Sequence, residues 1–191
     1  MWEELDARAR VIRGSSPKRI PEIETCDGLI LLGYHAMAGT PEAVLEHTMD
    51  SRHWQNFWIN GEKAGEVAID AAIAGNYRVP VIMVSGDDKV CAEACKLIKN
   101  IITVEVKKGL ACEGAILLSM EKAHAVITEG AKKAVKSIGS IMPYQPLSPV
   151  TLRLELVSRG IIPREYPQVK IIDGRTYEVT AANVEEALKL L

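Results

Sequence analysis

The chain has 191 residues, of which 48% are hydrophobic and 25% are charged, and its 23 Lys and Arg face 25 Asp and Glu. These proportions are typical of a folded globular protein and exclude a disordered or collagen-like chain. A net charge of −2 without a dense basic cluster argues against a nucleic-acid partner. No apolar run approaches the roughly 20 residues of a membrane-spanning helix, and the acidic N-terminus is unlike a signal peptide, so we expect a cytoplasmic protein with no membrane partner.

The first half of the chain predicts strands that are buried on both faces. After an irregular N-terminal segment, a continuous apolar run from Gly28 to Gly33 is bounded by turn residues, as such strands are. The runs Val79–Val84 and Ile101–Val106 have the same character. Between the first two, Asn56–Asn60 predicts a further strand, which ends in a tight turn at Asn60-Gly61.

Two helices are predicted between these strands. Apolar residues recur at helical spacing from Glu66 to Gly75, and a second helix, capped by Asp87 or Asp88, should run to about Lys99. Strands that alternate with helices favour a parallel sheet covered by helices.

The C-terminal part has a mixed pattern. It begins loosely after Gly109, and prolines 143, 146 and 149 suggest a linker. The predicted elements are a helix over Met120–Ile138, a half-buried strand over Val150–Leu156, a hairpin of Val169–Ile172 with Thr176–Val179, and a closing helix over Asn183–Leu191. We therefore predict an α/β fold, with a three-layer, mostly parallel sheet carrying helices on both faces over residues 1–108. A helix and a smaller α+β section should follow over residues 109–191.

The four cysteines, Cys26, Cys91, Cys95 and Cys112, form no CxxC pair and are expected to be reduced. Cys91 and Cys95 are four apart on a predicted helix, so a shared metal site is conceivable. We favour a role for both as small buried apolar residues.

Histidines carry the strongest functional signal, since three of the four lie between Gly33 and Glu66. Phosphate-binding, dinucleotide-binding, serine-hydrolase and HExxH zinc motifs are all missing from the sequence. His35 follows a predicted strand at the edge where α/β sheets bind ligands. Its imidazole could meet a metal or a substrate, or it could be a core histidine bonded to backbone, and its position leaves both readings open.

Four further positions have both a functional and a structural interpretation. His47 lies among carboxylates that could orient a general base, although a solvated surface histidine fits the same pattern. Glu66 opens a helix, where a carboxylate often does no more than interact with the helix dipole. Asp87 and Asp88 end a strand, where they could contact substrate, but helix capping explains one of them and solvent exposure the other. His53 is interpreted as structural.

An ordered series of motifs resembles the zinc-dependent D-aminopeptidases of the DppA type. The series begins with Gly33-Tyr34-His35-Ala36, continues through Thr40-Pro41 and Glu46-His47-Thr48-Met49, and then reaches Ile59-Asn60-Gly61 and Gly65-Glu66, with Pro80-Val81 and Gly86-Asp87-Asp88 at its end. The similarity to the family as a whole runs from about Glu4 to the C-terminus.

This resemblance implies a two-zinc centre that releases N-terminal D-amino acids from short peptides such as D-Ala-D-Ala. It implies that His35 and Glu66 bind zinc and that His47 acts as nucleophile or general base. It also implies a layered α/β domain with a smaller C-terminal one. Copies of the chain are expected to form a homo-oligomer, a decamer of two stacked pentameric rings.

The sequence also departs from the family, because its Asp-x-Glu-Gly and Asp-Ser-His zinc motifs do not occur in these residues. From this departure we expect a truncated member of the family, in which part of the zinc site is missing or is supplied by another polypeptide. An inactive enzyme is one consequence. The alternative is a non-catalytic relative that serves as an oligomeric binding or structural subunit.

Overall fold

The computed structural model describes residues 4–191 and contains two β-sheets with four α-helices. The first sheet holds β1 (Leu29–Tyr34), β4 (Val81–Asp87), β5 (Ile102–Ala111) and β6 (Gly114–Leu117). The second holds β2 (Trp54–Ile59), β3 (Glu62–Lys63), β7 (Val150–Leu156), β8 (Val169–Ile171) and β9 (Thr176–Ala181). The helices are α1 (Glu66–Asn76), α2 (Asp88–Leu97), α3 (Met120–Lys136) and α4 (Val184–Leu188).

The first sheet has the strand order β1-β4-β5-β6, in which β1, β4 and β5 are parallel and β6 is antiparallel. Helices cover both of its faces. A Cβ placed on Gly130 of α3 would lie 3.3 Å from the Met83 sulfur, and one on Gly86 would lie 2.5 Å from Cγ1 of Val90 in α2. Met83 and Gly86 point to opposite sides of β4, because side chains alternate along a strand. The expected mostly parallel sheet between helices is confirmed.

The second sheet is antiparallel, with the order β3-β2-β7-β9-β8. Its strand β2 comes from the first half of the chain and pairs with β7 from the second half. Phe57 of β2 and Leu152 and Leu154 of β7 lie in one buried cluster. This sheet therefore combines strands from before and after residue 108. The division of the chain into sections 1–108 and 109–191 stays a prediction.

Helix α1 lies between the two sheets. Its residues Val67 and Ala71 belong to the apolar cluster of the first sheet, whereas Ile69 and Ile73 belong to that of the second. Nine of its 11 residues are buried, as expected for a helix that is apolar on all sides. Its many alanines keep the helix thin, which lets both sheets pack closely against it.

The structure corrects two expectations from the sequence. The loose pattern after Gly109 is an antiparallel hairpin of β5 and β6, whose exposed side chains leave no buried apolar run to recognise. Cys91 is buried as expected, and burial raises the pKa of its thiol to about 12. Cys95, on the same helix, is exposed. Within residues 4–191, none of the helices is long and apolar enough to cross a membrane.

Gly86 allows β4 to approach the end of β1, and this contact generates a stability prediction. A Cβ at Gly86 would lie 2.2 Å from the carbonyl oxygen of Tyr34. We expect Gly86→Ala to lower the free energy of unfolding by about 2–3 kcal/mol, because the backbone must shift to admit a methyl group. Urea denaturation measures the change.

The matched control is Gly114→Ala, where the nearest atom to an added Cβ is 3.7 Å away. This variant should stay within about 0.5 kcal/mol of wild type. Equal stabilities for the two variants would contradict the packing argument.

Candidate metal centre

The structure brings the three sequence-predicted site residues together at one end of the first sheet. His35 follows β1 directly, His47 lies in the long loop between β1 and β2, and Glu66 is the first residue of α1. The Nε2 atoms of His35 and His47 are 3.5 Å and 3.6 Å from Oε1 of Glu66. One ligand atom from each of the three residues lies within 4.8 Å of the others.

Both imidazoles are held by backbone carbonyls on the side away from Glu66. The Nδ1 atom of His35 is 3.1 Å from the carbonyl oxygen of Ala36, and Nδ1 of His47 is 2.7 Å from that of Leu45. The two rings stack with centroids 3.9 Å apart and planes inclined by 19°. These contacts aim both Nε2 atoms at the same carboxylate oxygen.

The loop that carries His47 adopts a backbone conformation that non-glycine residues rarely take. Leu45 and Met49, on either side of His47, have φ angles of 52° and 61°. Such residues cost of order 1–3 kcal/mol each and persist where surrounding contacts hold them. Here the N–H of Met49 donates to Oε1 of Glu66 at 3.0 Å, and the carbonyl of Leu45 contacts His47.

The other carboxylate oxygen of Glu66 belongs to a charged network. Nη2 of Arg19 donates to Oε2 of Glu66 at 2.7 Å, and the same guanidinium bonds both oxygens of Asp70. The hydroxyl of Tyr34 also donates to Asp70, at 2.6 Å. Asp70 is 2% exposed, so its charge is compensated inside the protein. Burial and the neighbouring Asp70 carboxylate raise the pKa of Tyr34, which keeps this phenol protonated.

The charge of Glu66 is stabilised in spite of its partial burial. Burial alone would raise its pKa, but the contacts with His35, Arg19 and the Met49 N–H outweigh that effect and lower the pKa to about 2. The hydrogen bond to Glu66 correspondingly raises the pKa of His35, against the opposing effect of burial. The centre is therefore built around an ionised carboxylate.

Glu93 of α2 supports the site from behind. Its Oε2 accepts the N–H of Met37 at 2.8 Å, two residues after His35. A Cβ on Gly65 would lie 2.7 Å from Oε1 of Glu93, so this side chain also packs against the residue before Glu66. Oε1 is buried, and within residues 4–191 it has no hydrogen-bond partner. Burial raises the pKa of Glu93, and the Met37 hydrogen bond opposes the rise.

The remaining candidates have structural roles. Asp87 is fully buried and caps α2, with one oxygen accepting from the Val90 N–H and the other from the Val44 N–H. Asp88 accepts the N–H of Gly109 and pairs with Lys89. His53 contacts Asp50 at the surface, with 2.7 Å between Nδ1 and Oδ2, and its structural role stays a prediction.

The donor set fits zinc. Two imidazole nitrogens and a carboxylate oxygen are the three protein ligands of several catalytic zinc sites, which leave a further position for water or substrate. Among the residues that the structure describes, His35, His47 and Glu66 form one such group, and its carbonyl-anchored imidazoles have the outer contacts that metal-binding histidines commonly have.

Sequence reasoning missed Arg19, Asp70, Tyr34 and Glu93. Asp70 and Glu93 did carry a signal, since each carboxylate lies among apolar residues on the packed side of a predicted helix. Arg19 carried none, because it lies in a segment without periodicity and contacts α1 47 and 51 residues later.

The buried Glu93 generates a pH-dependent stability prediction. Its carboxyl binds a proton more tightly in the folded than in the unfolded chain, so the free energy of unfolding should fall as pH rises from the ordinary glutamate range through the raised folded-state pKa. Glu93→Gln keeps an acceptor for Met37 and removes the buried charge. We expect it to raise the free energy of unfolding at pH 8 by about 1–2 kcal/mol and to have less effect at pH 4.

Urea denaturation at both pH values measures this change. Glu129→Gln is the control, because Glu129 is exposed on α3 and pairs there with the exposed Lys132. It should change the free energy of unfolding by less than about 0.5 kcal/mol. An equal gain from both variants at pH 8 would show that the buried charge is not the cause.

Comparison with known proteins identifies the family. The sequence model of the family described as D-aminopeptidase (Peptidase_M55) matches residues 1–191. A D-aminopeptidase of Bacillus subtilis (strain 168) is 36% identical over 166 residues, which are 84% of this chain and 59% of that protein, so this chain spans less than two thirds of its curated relative. The fold is similar to a solved structure described as the Zn-dependent D-aminopeptidase DppA from Bacillus subtilis, a self-compartmentalizing protease. The TM-score is 0.87 at 32% identity, covering 99% of this chain and 70% of that one. The chain therefore belongs to the D-aminopeptidase family.

Proposed function

We propose that this chain is a zinc-dependent aminopeptidase that releases N-terminal D-amino acids from short peptides. The observation that carries the proposal is the convergence of His35, His47 and Glu66, whose ligand atoms lie within 4.8 Å of one another. Family membership and the Zn-dependent relative support the same activity.

In this proposal His35 and Glu66 hold the ion, and His47, the third residue of the cluster, lies beside the ion as a base and is not a ligand. Their geometry suits the task, because each is fixed by a second contact, His35 through Ala36 and Glu66 through Arg19. When bound there, a zinc ion would supply Lewis-acid activation of water and of the peptide carbonyl.

His47 would move protons during hydrolysis. Its Nδ1 atom contacts the Leu45 carbonyl, which accepts an N–H and leaves Nε2 as the basic nitrogen. That nitrogen faces Glu66 in the centre, where it could take a proton from water and pass it to the leaving amine.

A second candidate function is a non-catalytic relative that binds peptides or assembles without metal. The specific observation in its favour is the ion pair between Arg19 and Glu66, which already neutralises the carboxylate. The two candidates differ in zinc content and in turnover.

The main test measures zinc and hydrolysis together. Purified protein is expected to bind zinc and to cleave D-Ala-D-Ala faster than L-Ala-L-Ala. His35→Ala and Glu66→Ala should each lower both zinc affinity and turnover by more than about 100-fold, since even outer contacts of a zinc ligand can have effects of that size. Dialysis with elemental mass spectrometry and an amine-release assay provide the measurements.

His53→Ala is the control, because His53 is an exposed histidine that pairs with Asp50 and does not belong to the His35, His47 and Glu66 cluster. It should keep zinc and turnover unchanged. Zinc that persists in both the His35 and Glu66 variants would refute the ligand assignment, and hydrolysis of neither dipeptide by the zinc-loaded chain would favour the non-catalytic candidate.

The role of His47 has its own prediction. His47→Ala should keep zinc and lower turnover by about 100- to 10,000-fold, the range of general acid–base catalysis. The same zinc and amine-release assays apply. Loss of zinc together with turnover would instead make His47 a third ligand, and the proton-transfer assignment would be wrong.

We further propose that copies of the chain assemble into a homo-oligomer, with the decamer of two pentameric rings as the expected form. Support comes from the self-compartmentalizing relative and from exposed apolar side chains on the β5–β6 hairpin. They are Leu110, Ile116 and Leu117.

Light scattering after size-exclusion chromatography tests the assembly. Leu117→Lys should reduce the measured mass, because a charge on an apolar interface is costly to bury. Ile161→Lys is the control, because Ile161 is an exposed apolar residue that does not belong to the hairpin. A monomeric wild-type chain would contradict the proposal.

A further inference from the structure

The two oxygens of Glu66 have different partners. Oε1 faces the Nε2 atoms of His35 and His47, the side where a metal ion is proposed. Oε2 accepts a hydrogen bond from Nη2 of Arg19 at 2.7 Å. The carboxylate is thus divided between a metal-ligating side and a guanidinium side.

The guanidinium also reaches the next carboxylate on the same helix. Glu66 and Asp70 are four residues apart on α1, so they project from one face. Arg19 spans both, with Nη2 3.1 Å from Oδ2 of Asp70 and Nε bonded to Oδ1. The Arg19 side chain is only 30% exposed, and the Asp70 side chain is 2% exposed. Arg19, Glu66 and Asp70 therefore form a partly buried ionic network.

A bridging carboxylate in a two-metal site offers one oxygen to each ion, with the ions about 3.5–4 Å apart. Here the second oxygen of Glu66 already accepts a hydrogen bond from the permanently charged guanidinium of Arg19. Asp70, the other carboxylate on this face of α1, pairs with the same guanidinium. A second divalent ion would have to displace the guanidinium or lie beside it.

We propose that this chain binds a single divalent cation, on the Oε1 side of Glu66, and that the Arg19 guanidinium takes the place of a second cation between Glu66 and Asp70. The inference rests on the proposed zinc site and narrows it to one ion. Arg19 is then a positioning residue. It fixes Glu66 through a charge-assisted hydrogen bond and offers no exchangeable coordination position.

Zinc stoichiometry tests this inference without reference to turnover. Wild-type chain is dialysed against buffered Zn²⁺, and metal per chain is measured by elemental mass spectrometry. We expect one ion for wild type and one for Arg19→Lys, which keeps the positive charge. Arg19→Ala leaves two carboxylates facing each other without a cation and should bind two.

The double variant Arg19→Ala with Asp70→Asn checks the cause and protects against a folding failure. It removes the unpaired buried charge that would destabilise the single variant, and it removes the second carboxylate. We expect its stoichiometry to return to one. Arg153→Ala, which breaks the ion pair with Glu178 in the second sheet, should bind one ion like wild type.

Each outcome bears on the inference. Two ions in wild type, or one ion in a folded Arg19→Ala chain, would overturn it while leaving the zinc-enzyme proposal intact. No ion in any chain would overturn both. One ion in wild type and two in Arg19→Ala would support it, even if the zinc-loaded wild type cleaved no dipeptide.

Discussion

Burial of helix α1 between the two sheets determines where the charged groups of the candidate site lie. Its alternate faces pack on the first sheet through Val67 and Ala71 and on the second through Ile69 and Ile73. Nine of its 11 residues are buried, so little of its surface is left for charged residues to face solvent. The two carboxylates that it carries, Glu66 and Asp70, must therefore find partners within the protein, because a buried charge without a partner is costly.

Those partners come from parts of the chain that are distant in sequence, and they connect the core to the candidate site. Arg19 arrives from the segment before β1 and bonds both carboxylates, while Tyr34 arrives from the end of β1. The same packing that buries α1 places Glu66 beside His35, since β1 and the start of α1 meet at this end of the sheet. The position of the centre is thus a consequence of core packing.

The sequence predicted the local elements well because their signals are local. Apolar runs identified β1, β4 and β5, and helical spacing identified α1 and α2 within a few residues. The convergence of His35, His47 and Glu66 was also predicted, although from resemblance to a family rather than from spacing. The pairing of strands that are distant in the sequence was not predictable. The apolar pattern of β2 fits any half-buried strand and does not indicate that β7 is its neighbour. Long-range partners such as Arg19 are similarly set by the tertiary fold.

The loop between β1 and β2 lacks regular structure over most of its length, so its backbone N–H groups need acceptors from elsewhere. Carboxylates at the ends and sides of two helices provide them: Glu93 binds Met37, Asp87 binds Val44, and Glu66 binds Met49. Each of these acidic residues belongs to an element packed in the core, and each accepts from a loop residue close to a histidine or to another part of the site. The carboxylates therefore fix the loop in register with the sheet, which explains how His47 can be held between two residues of positive φ. A loop of this kind can present an imidazole in a defined direction without any helix or strand of its own.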